Sequence, residues 1–356
     1  MKLFNCQHCR QLLYFENTRC ERCGHALGYL PDVGTLSALE PDGDAWRALA
    51  NGASAYRPCA NSQHGVCNWM VPVDSPTPFC VACRHNHTIP DLSIAGNLER
   101  WHKLETAKRR VFYTLLKLGL PMPTESEDPS KALTFAFMGD PIGGAPDAPK
   151  VMTGHDAGLI TINLAEADDA ERERRRSMLG EPYRTLLGHL RHEVGHYYWD
   201  RLVDDGGRLE AYRAVFGDER ADYGEALKAH YAKPPSDDWQ GGYVSNYAAS
   251  HPWEDFAETW AHYLHIIDTL ETARAFRVRV DPDAASGDEL TAEVDFDVYR
   301  VPGIEPIIEA WLPLSFAVNS LNRSMGQPDL YPFVLSTPVI EKLGYMHGLL
   351  RESRQP

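Results

Sequence analysis

The sequence predicts an α+β protein in two parts. A cysteine-rich, metal-stapled module occupies residues 1–92, and a mainly helical domain with a small mixed sheet occupies 93–356. Three observations predict it. All eight cysteines fall before residue 84, in two sets of four. Beyond them, apolar residues recur mostly at spacings of three and four, the helical period. Two short stretches, 133–138 and 158–164, alternate instead and carry the strand signal.

Cys6-x-x-Cys9 and Cys20-x-x-Cys23 are two knuckles with ten residues between them. Each tight turn lets two thiolates grip one ion, and two turns complete a tetrahedral Cys₄ zinc site. His8 and His25 could replace a thiolate, although histidines beside ligands are more often bystanders. Leu12, Tyr14 and Phe15 suit a short strand with little core, so the metal supplies most of the module's stability. Residues 27–30 suit a second strand. Residues 31–58 read as a connector with a turn at Asp42-Gly43. Trp46 and Leu49 suggest a short helix or a packing contact there. Cys59, Cys67, Cys80 and Cys83 form the second quartet and a second structural zinc site. Only Cys80-x-x-Cys83 has knuckle spacing, so His64, His85 or His87 could stand in for a thiolate.

In the second part, 98–118 reads as a helix with Trp101, Leu104, Phe112, Leu115 and Leu116 on one side, stopped by Pro121-Met122-Pro123. Strand 133–138, a Gly/Pro loop at 141–150 and strand 158–164 follow. The charged run within 170–179 reads as a solvated helix face. Residues 217–232 form another helix ended by Pro234-Pro235. Residues 281–288 are turn-rich and 292–301 alternate as a strand. Helices over 304–321 and 338–350 pack onto the domain and carry no site residue.

The chemistry centres on His192-Glu193-Val194-Gly195-His196. Leu186, Leu187, Leu190, Val194 and Tyr198 recur at helical spacing, and Pro182 suits a first helical turn. On that helix His192 and His196 share a face one turn apart. Two imidazoles so placed can hold one Zn²⁺, and Glu193 can serve as general base to a water on the metal. A metal also gives a reason for two histidines in an apolar helix, where unpaired they would be costly. A second helix, capped by Ser250 and starting near Pro252, places Glu254 and Glu258 on one face. Phe256, Trp260, Tyr263, Leu264 and Ile267 form its apolar side. Glu254 is then the third ligand, and Glu258 accepts the free N–H of a ligand imidazole. The competing reading is an acidic stripe favoured by the helix dipole.

His192-Glu193-x-x-His196 followed by Glu254-x-x-x-Glu258 resembles the gluzincin metallopeptidases. It is similar to compact members whose glutamate helix reads Glu-x-Phe-Ala-Glu, such as the catalytic domain of anthrax lethal factor. It also resembles bacterial zinc-binding metallopeptidases with an N-terminal zinc ribbon. The resemblance implies a zincin-like domain, a catalytic zinc, and a tyrosine seven residues before the glutamate ligand that polarises the substrate carbonyl. Tyr247 stands at that position. Many relatives have Asp where this chain has Glu258. In such folds the strand before the active helix is the sheet edge, where a bound peptide pairs by strand addition. Here that strand is 158–164.

The expected activity is therefore peptide-bond hydrolysis by a zinc-activated water, with Glu193 as base. One catalytic and two structural Zn²⁺ are expected, with a peptide or protein as substrate. A formal net charge of -15 argues against general nucleic-acid binding and against docking on anionic membranes. No run of 18 apolar residues marks a transmembrane helix, and Met1–Cys6 lacks a secretory core, so a cytoplasmic protein is expected. Two rival readings remain. A DNA-repair-type protease would use a third histidine, for which His230 is the first available. An adaptor would use the ribbons as its main binding function, toward a protein partner.

Overall fold

The computed structural model describes residues 3–141, 150–179, 185–232, 237–283 and 290–354. Pro182, Pro234-Pro235, most of the 141–150 loop and most of the 281–288 excursion lie outside them. The chain divides into two compact units. The first combines Met1–Leu116 with Met122–Glu171, and the second combines Lys117–Pro121 with Arg172–Pro356. No helix among the described residues is long and apolar enough to cross a membrane.

The architecture is α+β, a cysteine-rich N-terminal region followed by a helical region with small sheets. In the first unit, β1 (Phe4–Asn5) and β2 (Leu12–Leu13) form the hairpin beside the first knuckle. Then come β3 (Ala26–Leu30), β4 (Thr35–Asp42), β5 (Ala45–Ala48), β6 (Asn51–Pro58) and β7 (Met70–Pro72), an antiparallel sheet in sequence order. Residues 31–58 are therefore not a connector. They supply three strands, and Trp46 and Leu49 are in no helix; Trp46 lies in β5, opposite Tyr56. Leu30, Leu39, Ala48, Tyr56 and Met70 form the core of this sheet. Its strands are rich in Ala, Gly and Pro, which blurs the alternation that would have exposed it. The Asp42-Gly43 turn does join β4 to β5, with Gly43 at φ 61°.

Helix α1 (Asn97–Leu118) follows, with Trp101, Leu104, Phe112 and Leu115 fully buried. A four-stranded mixed sheet combines β8 (Asn86–Thr88), β9 (Thr134–Met138), β10 (Gly154–Asp156) and β11 (Leu159–Asn163) in the order β10-β11-β9-β8. The strand expected at the edge is thus interior. β11 pairs with β9 in parallel and with β10 in antiparallel fashion, and β10 takes the edge. The reason is local. Ala157 and Gly158 both have positive φ and turn the chain back on itself, so the residues just before β11 cover it.

After α2 (Asp169–Leu179), the second unit is mostly helical. Thr185 caps α3 (Leu186–Tyr198), its hydroxyl accepting from the Gly188 N–H. A π-helical turn (Trp199–Asp204) extends α3. Next come α4 (Leu209–Phe216) and α5 (Tyr223–Tyr231), the latter starting six residues after the expected 217 because Asp222 is its cap. The long α6 (Pro252–Phe276) is capped by His251 rather than Ser250, since His251 Nδ1 accepts from the Trp253 N–H. Only Ala292 and Glu293 of the 292–301 stretch are strand, paired with Arg279–Val280. α7 (Glu305–Ser324) and α8 (Thr337–Glu352) pack against α6.

Candidate metal centre

Each knuckle closes on a left-handed residue. Arg10 (φ 63°) donates its N–H to the Cys6 carbonyl, and Gly24 (φ 77°) donates to that of Cys20. The turns bring Cys6 Sγ to 3.6 Å from Cys23 Sγ, and Cys9 Sγ to 3.5 Å from Cys20 Sγ. Sulfurs at zinc–thiolate distance in a tetrahedron lie about 3.8 Å apart, so the quartet fits that ion. The second quartet is fully buried, with Cys67 and Cys80 sulfurs 3.7 Å apart. Backbone donors meet two of its sulfurs. The Trp69 N–H points to Cys67 Sγ, and the Cys80 N–H to Cys59 Sγ. Hydrogen bonds from Cys67, Cys80 and Cys83 hold the Cys59 thiol below its ordinary range, while Cys67 and Cys80 are pushed above theirs.

The candidate histidines stand elsewhere. His8 and His25 stack on each other with centroids 4.2 Å apart. His64 packs on Trp101, His85 Nδ1 meets the Leu133 carbonyl at 2.7 Å, and His87 Nδ1 meets Glu125 at 3.0 Å.

A third group forms where α3 crosses α6. His192 Nε2 and His196 Nε2 lie 3.1 Å apart. Glu254 Oε2 lies 3.0 Å from the first and 3.4 Å from the second. Ligands of one tetrahedral zinc are about 3.4 Å apart, so these three atoms have the spacing of a shared ion. Glu254 is 1% exposed, and its Oε2 has no hydrogen-bond donor of acceptable geometry. A buried carboxylate oxygen facing two imidazole nitrogens, each able to offer a lone pair, is a site built for a cation.

The surroundings orient these side chains. His192 Nδ1 lies 2.8 Å from Glu258 Oε1, and the Ser245 hydroxyl donates to Glu258 Oε2 at 2.6 Å. Burial would raise the Glu258 carboxyl, but contact with His192 outweighs it and holds it at about 2. For His192, burial works against the charged ring, yet Glu254 and Glu258 raise its pKa well above the usual value. The two carboxylates thus create a strongly cation-stabilising point, which a metal would occupy in place of the proton.

Glu193 is 5% exposed, with Oε1 3.6 Å from His189 Nε2. Tyr247 sits with its ring 5.8 Å from that of His192, and the charges of Glu254 and Glu193 both bear on it. Trp253 covers His196 at 3.7 Å between centroids. Tyr197 and Tyr198 are buried core. His230 belongs to no metal-ligating group among the described residues; its Nε2 lies 3.3 Å from Asn246 Nδ2.

Sequence reasoning missed three contributors. Tyr223 donates to Glu254 Oε1 at 2.5 Å. Ser245 and His189 support Glu258 and approach Glu193. His189 was findable, four residues before Glu193 on one helix face. Tyr223 was not, because it stands 31 residues before Glu254 on a helix without a motif.

A family model described as "Putative zinc-binding metallo-peptidase" matches residues 97–349, and a zinc-ribbon domain model matches residues 3–94. Uncharacterized proteins of Mycobacterium bovis and of two strains of Mycobacterium tuberculosis are each 40% identical to this chain over 353 residues. The match covers 99% of this chain and 96% of each relative. No solved structure matches the chain.

Proposed function

Because this chain belongs to the zinc-binding metallopeptidase family whose model spans residues 97–349, we propose that it hydrolyses peptide bonds at the centre formed by His192, His196 and Glu254. The arrangement is of the gluzincin type, and each cysteine quartet holds one structural zinc. One observation carries the reading: two imidazole nitrogens and one carboxylate oxygen converge within 3.4 Å in a buried crossing, next to an acid on the same helix.

When bound, zinc supplies a Lewis acid and a water of lowered pKa. The remaining work falls to side chains. The Glu193 carboxylate takes the proton of the attacking water and returns it to the leaving amine. The Tyr247 hydroxyl donates to the oxygen on which charge develops. Glu258 keeps His192 in the tautomer that presents Nε2. The substrate is a peptide or protein, the ribbons serve as a docking module for a protein partner, and the reduced thiols of two quartets suit the cytoplasm.

Elemental analysis of protein never exposed to chelators should find about three zinc ions per chain, one for each ligand group. Glu254→Ala should lose one of them. Glu193→Gln should keep all, while cleavage of a peptide library falls by several orders of magnitude. A native preparation without zinc, or full cleavage by Glu193→Gln, defeats the reading.

A further inference from the structure

We propose that Tyr223 is a positioning residue of the metal centre, holding Glu254 so that only one carboxylate oxygen is offered to the ion. The inference rests on the reading of His192, His196 and Glu254 as ligands.

Tyr223 is the first residue of α5, and its hydroxyl donates to Glu254 Oε1 at 2.5 Å. The other oxygen, Oε2, faces the two histidines. The carboxylate is therefore divided, with one oxygen bound to a phenol and one facing the site. A phenol–carboxylate bond of this length is charge-assisted, about twice as strong as a neutral one. A carboxylate with both oxygens free can chelate a metal through both, which fills a coordination position. Occupying Oε1 removes that option and keeps a position open for water.

The tyrosine is held firmly for this task. Its ring meets His251 edge-on at 5.4 Å and Trp253 edge-on at 5.6 Å. His251 caps α6, and Trp253 lies in its first turn, which carries Glu254. His251 also joins the two elements: Nδ1 accepts from the Trp253 N–H at 3.1 Å, and Nε2 donates to the Ala221 carbonyl at 3.2 Å. One neutral imidazole thus fixes the start of α6 and the approach to α5 together. Tyr223 is 38% exposed although its hydroxyl reaches a carboxylate that is 1% exposed. Its ring therefore covers Glu254 from the solvent side. With its proton committed to Glu254, Tyr223 acts through that ligand rather than on substrate.

The test uses the full chain and reads metal binding. Zinc affinity of the histidine–glutamate centre is measured by chelator competition for wild type, Tyr223→Phe, Tyr223→Leu and Glu254→Ala. Cobalt substitution is followed in parallel, the cysteine sites being recognised by their thiolate charge-transfer bands. Tyr223→Phe keeps the ring packing and loses only the hydroxyl. It should weaken zinc binding about ten- to a hundredfold. It should also lower the visible-band intensity of cobalt in this centre, as Glu254 turns to two-oxygen chelation. Wild-type affinity and spectrum in Tyr223→Phe overturn the proposal, and a loss confined to Tyr223→Leu does the same by showing that only packing matters. Wild-type affinity in Glu254→Ala instead overturns the underlying ligand assignment.

Discussion

A Cβ on Gly195 would stand 3.0 Å from the Cα of Ala257 and 3.1 Å from the Trp260 ring. The helix that carries His192 and His196 and the helix that carries Glu254 therefore touch backbone to backbone inside the His-Glu-x-x-His motif. Helix propensity favours alanine over glycine by about 1 kcal/mol. Backbone cannot yield as a flexible side chain does, so here packing should win. Gly195→Ala is expected to destabilise the protein by about 1–3 kcal/mol and to weaken zinc binding by spreading the ligands. Denaturant unfolding gives the sign directly, and a variant as stable as wild type would show that the crossing can relax.

The reach of Glu258 suggests a second experiment. It accepts from His192 Nδ1 with one oxygen and from Ser245 with the other. Aspartate is one methylene shorter and would have to give up one of these partners. Glu258→Ala should reduce zinc affinity about ten- to a hundredfold. Glu258→Asp should fall between it and wild type, and Ser245→Ala should cost less than either. Equal affinity in all four proteins would reduce Glu258 to a bystander.

Much of this candidate site was legible because its residues sit on regular helices. Spacing alone placed His192 and His196 on one face and Glu254 with Glu258 on another, and both cysteine quartets converge as counted. What sequence could not give was whatever depends on tertiary contact. Tyr223 reaches Glu254 from a separate helix with no periodic relation to it. The cap at His251 was hidden because Ser250, a better cap by propensity, stands next to it. β11 was expected at the edge only because the resemblance implies it, and nothing in its own alternation reveals that Gly154–Asp156 folds back over it. Residues 31–58 were misread because alanine, glycine and proline give strands little hydrophobic contrast.

The C-terminal helix, silent in the sequence, reaches toward the site through Lys342. Its ammonium lies 2.6 Å from Asp255 Oδ2, 2.6 Å from the Gly242 carbonyl and 4.2 Å from the centre of the Tyr243 ring. Asp255 follows Glu254, and burial pushes its carboxyl up to about 7 despite Lys342. Lys342→Met should cost about 1–3 kcal/mol, because it leaves a buried carboxyl without its hydrogen-bond partner. Lys342→Met with Asp255→Asn should recover part of that loss. If the double variant were no better than the single one, the cost would lie in the contacts of Lys342 with Gly242 and Tyr243.

Acid sensitivity should be traceable to His262, one helical turn beyond Glu258. It is 4% exposed, with Nδ1 2.7 Å from the Tyr331 hydroxyl and its ring 4.4 Å from that of Phe333. Burial lowers its pKa to about 4, and the nearby Glu258 charge offsets only part of that. The folded value is thus below the unfolded value of about 6.5, so the unfolded chain binds more protons between the two. The neutral ring's stabilisation is complete above about pH 6.5 and is lost as pH falls toward about 4. The full effect is about 3 kcal/mol. Zinc release in acid adds its own slope, so the comparison must be between wild type and His262→Gln under the same metal conditions. Urea unfolding at several pH values should give a steeper loss for wild type across that interval and parallel curves above it. Parallel curves throughout would mean that His262 is protonated in the folded chain as readily as in the unfolded one, and that Glu258 holds that proton against burial.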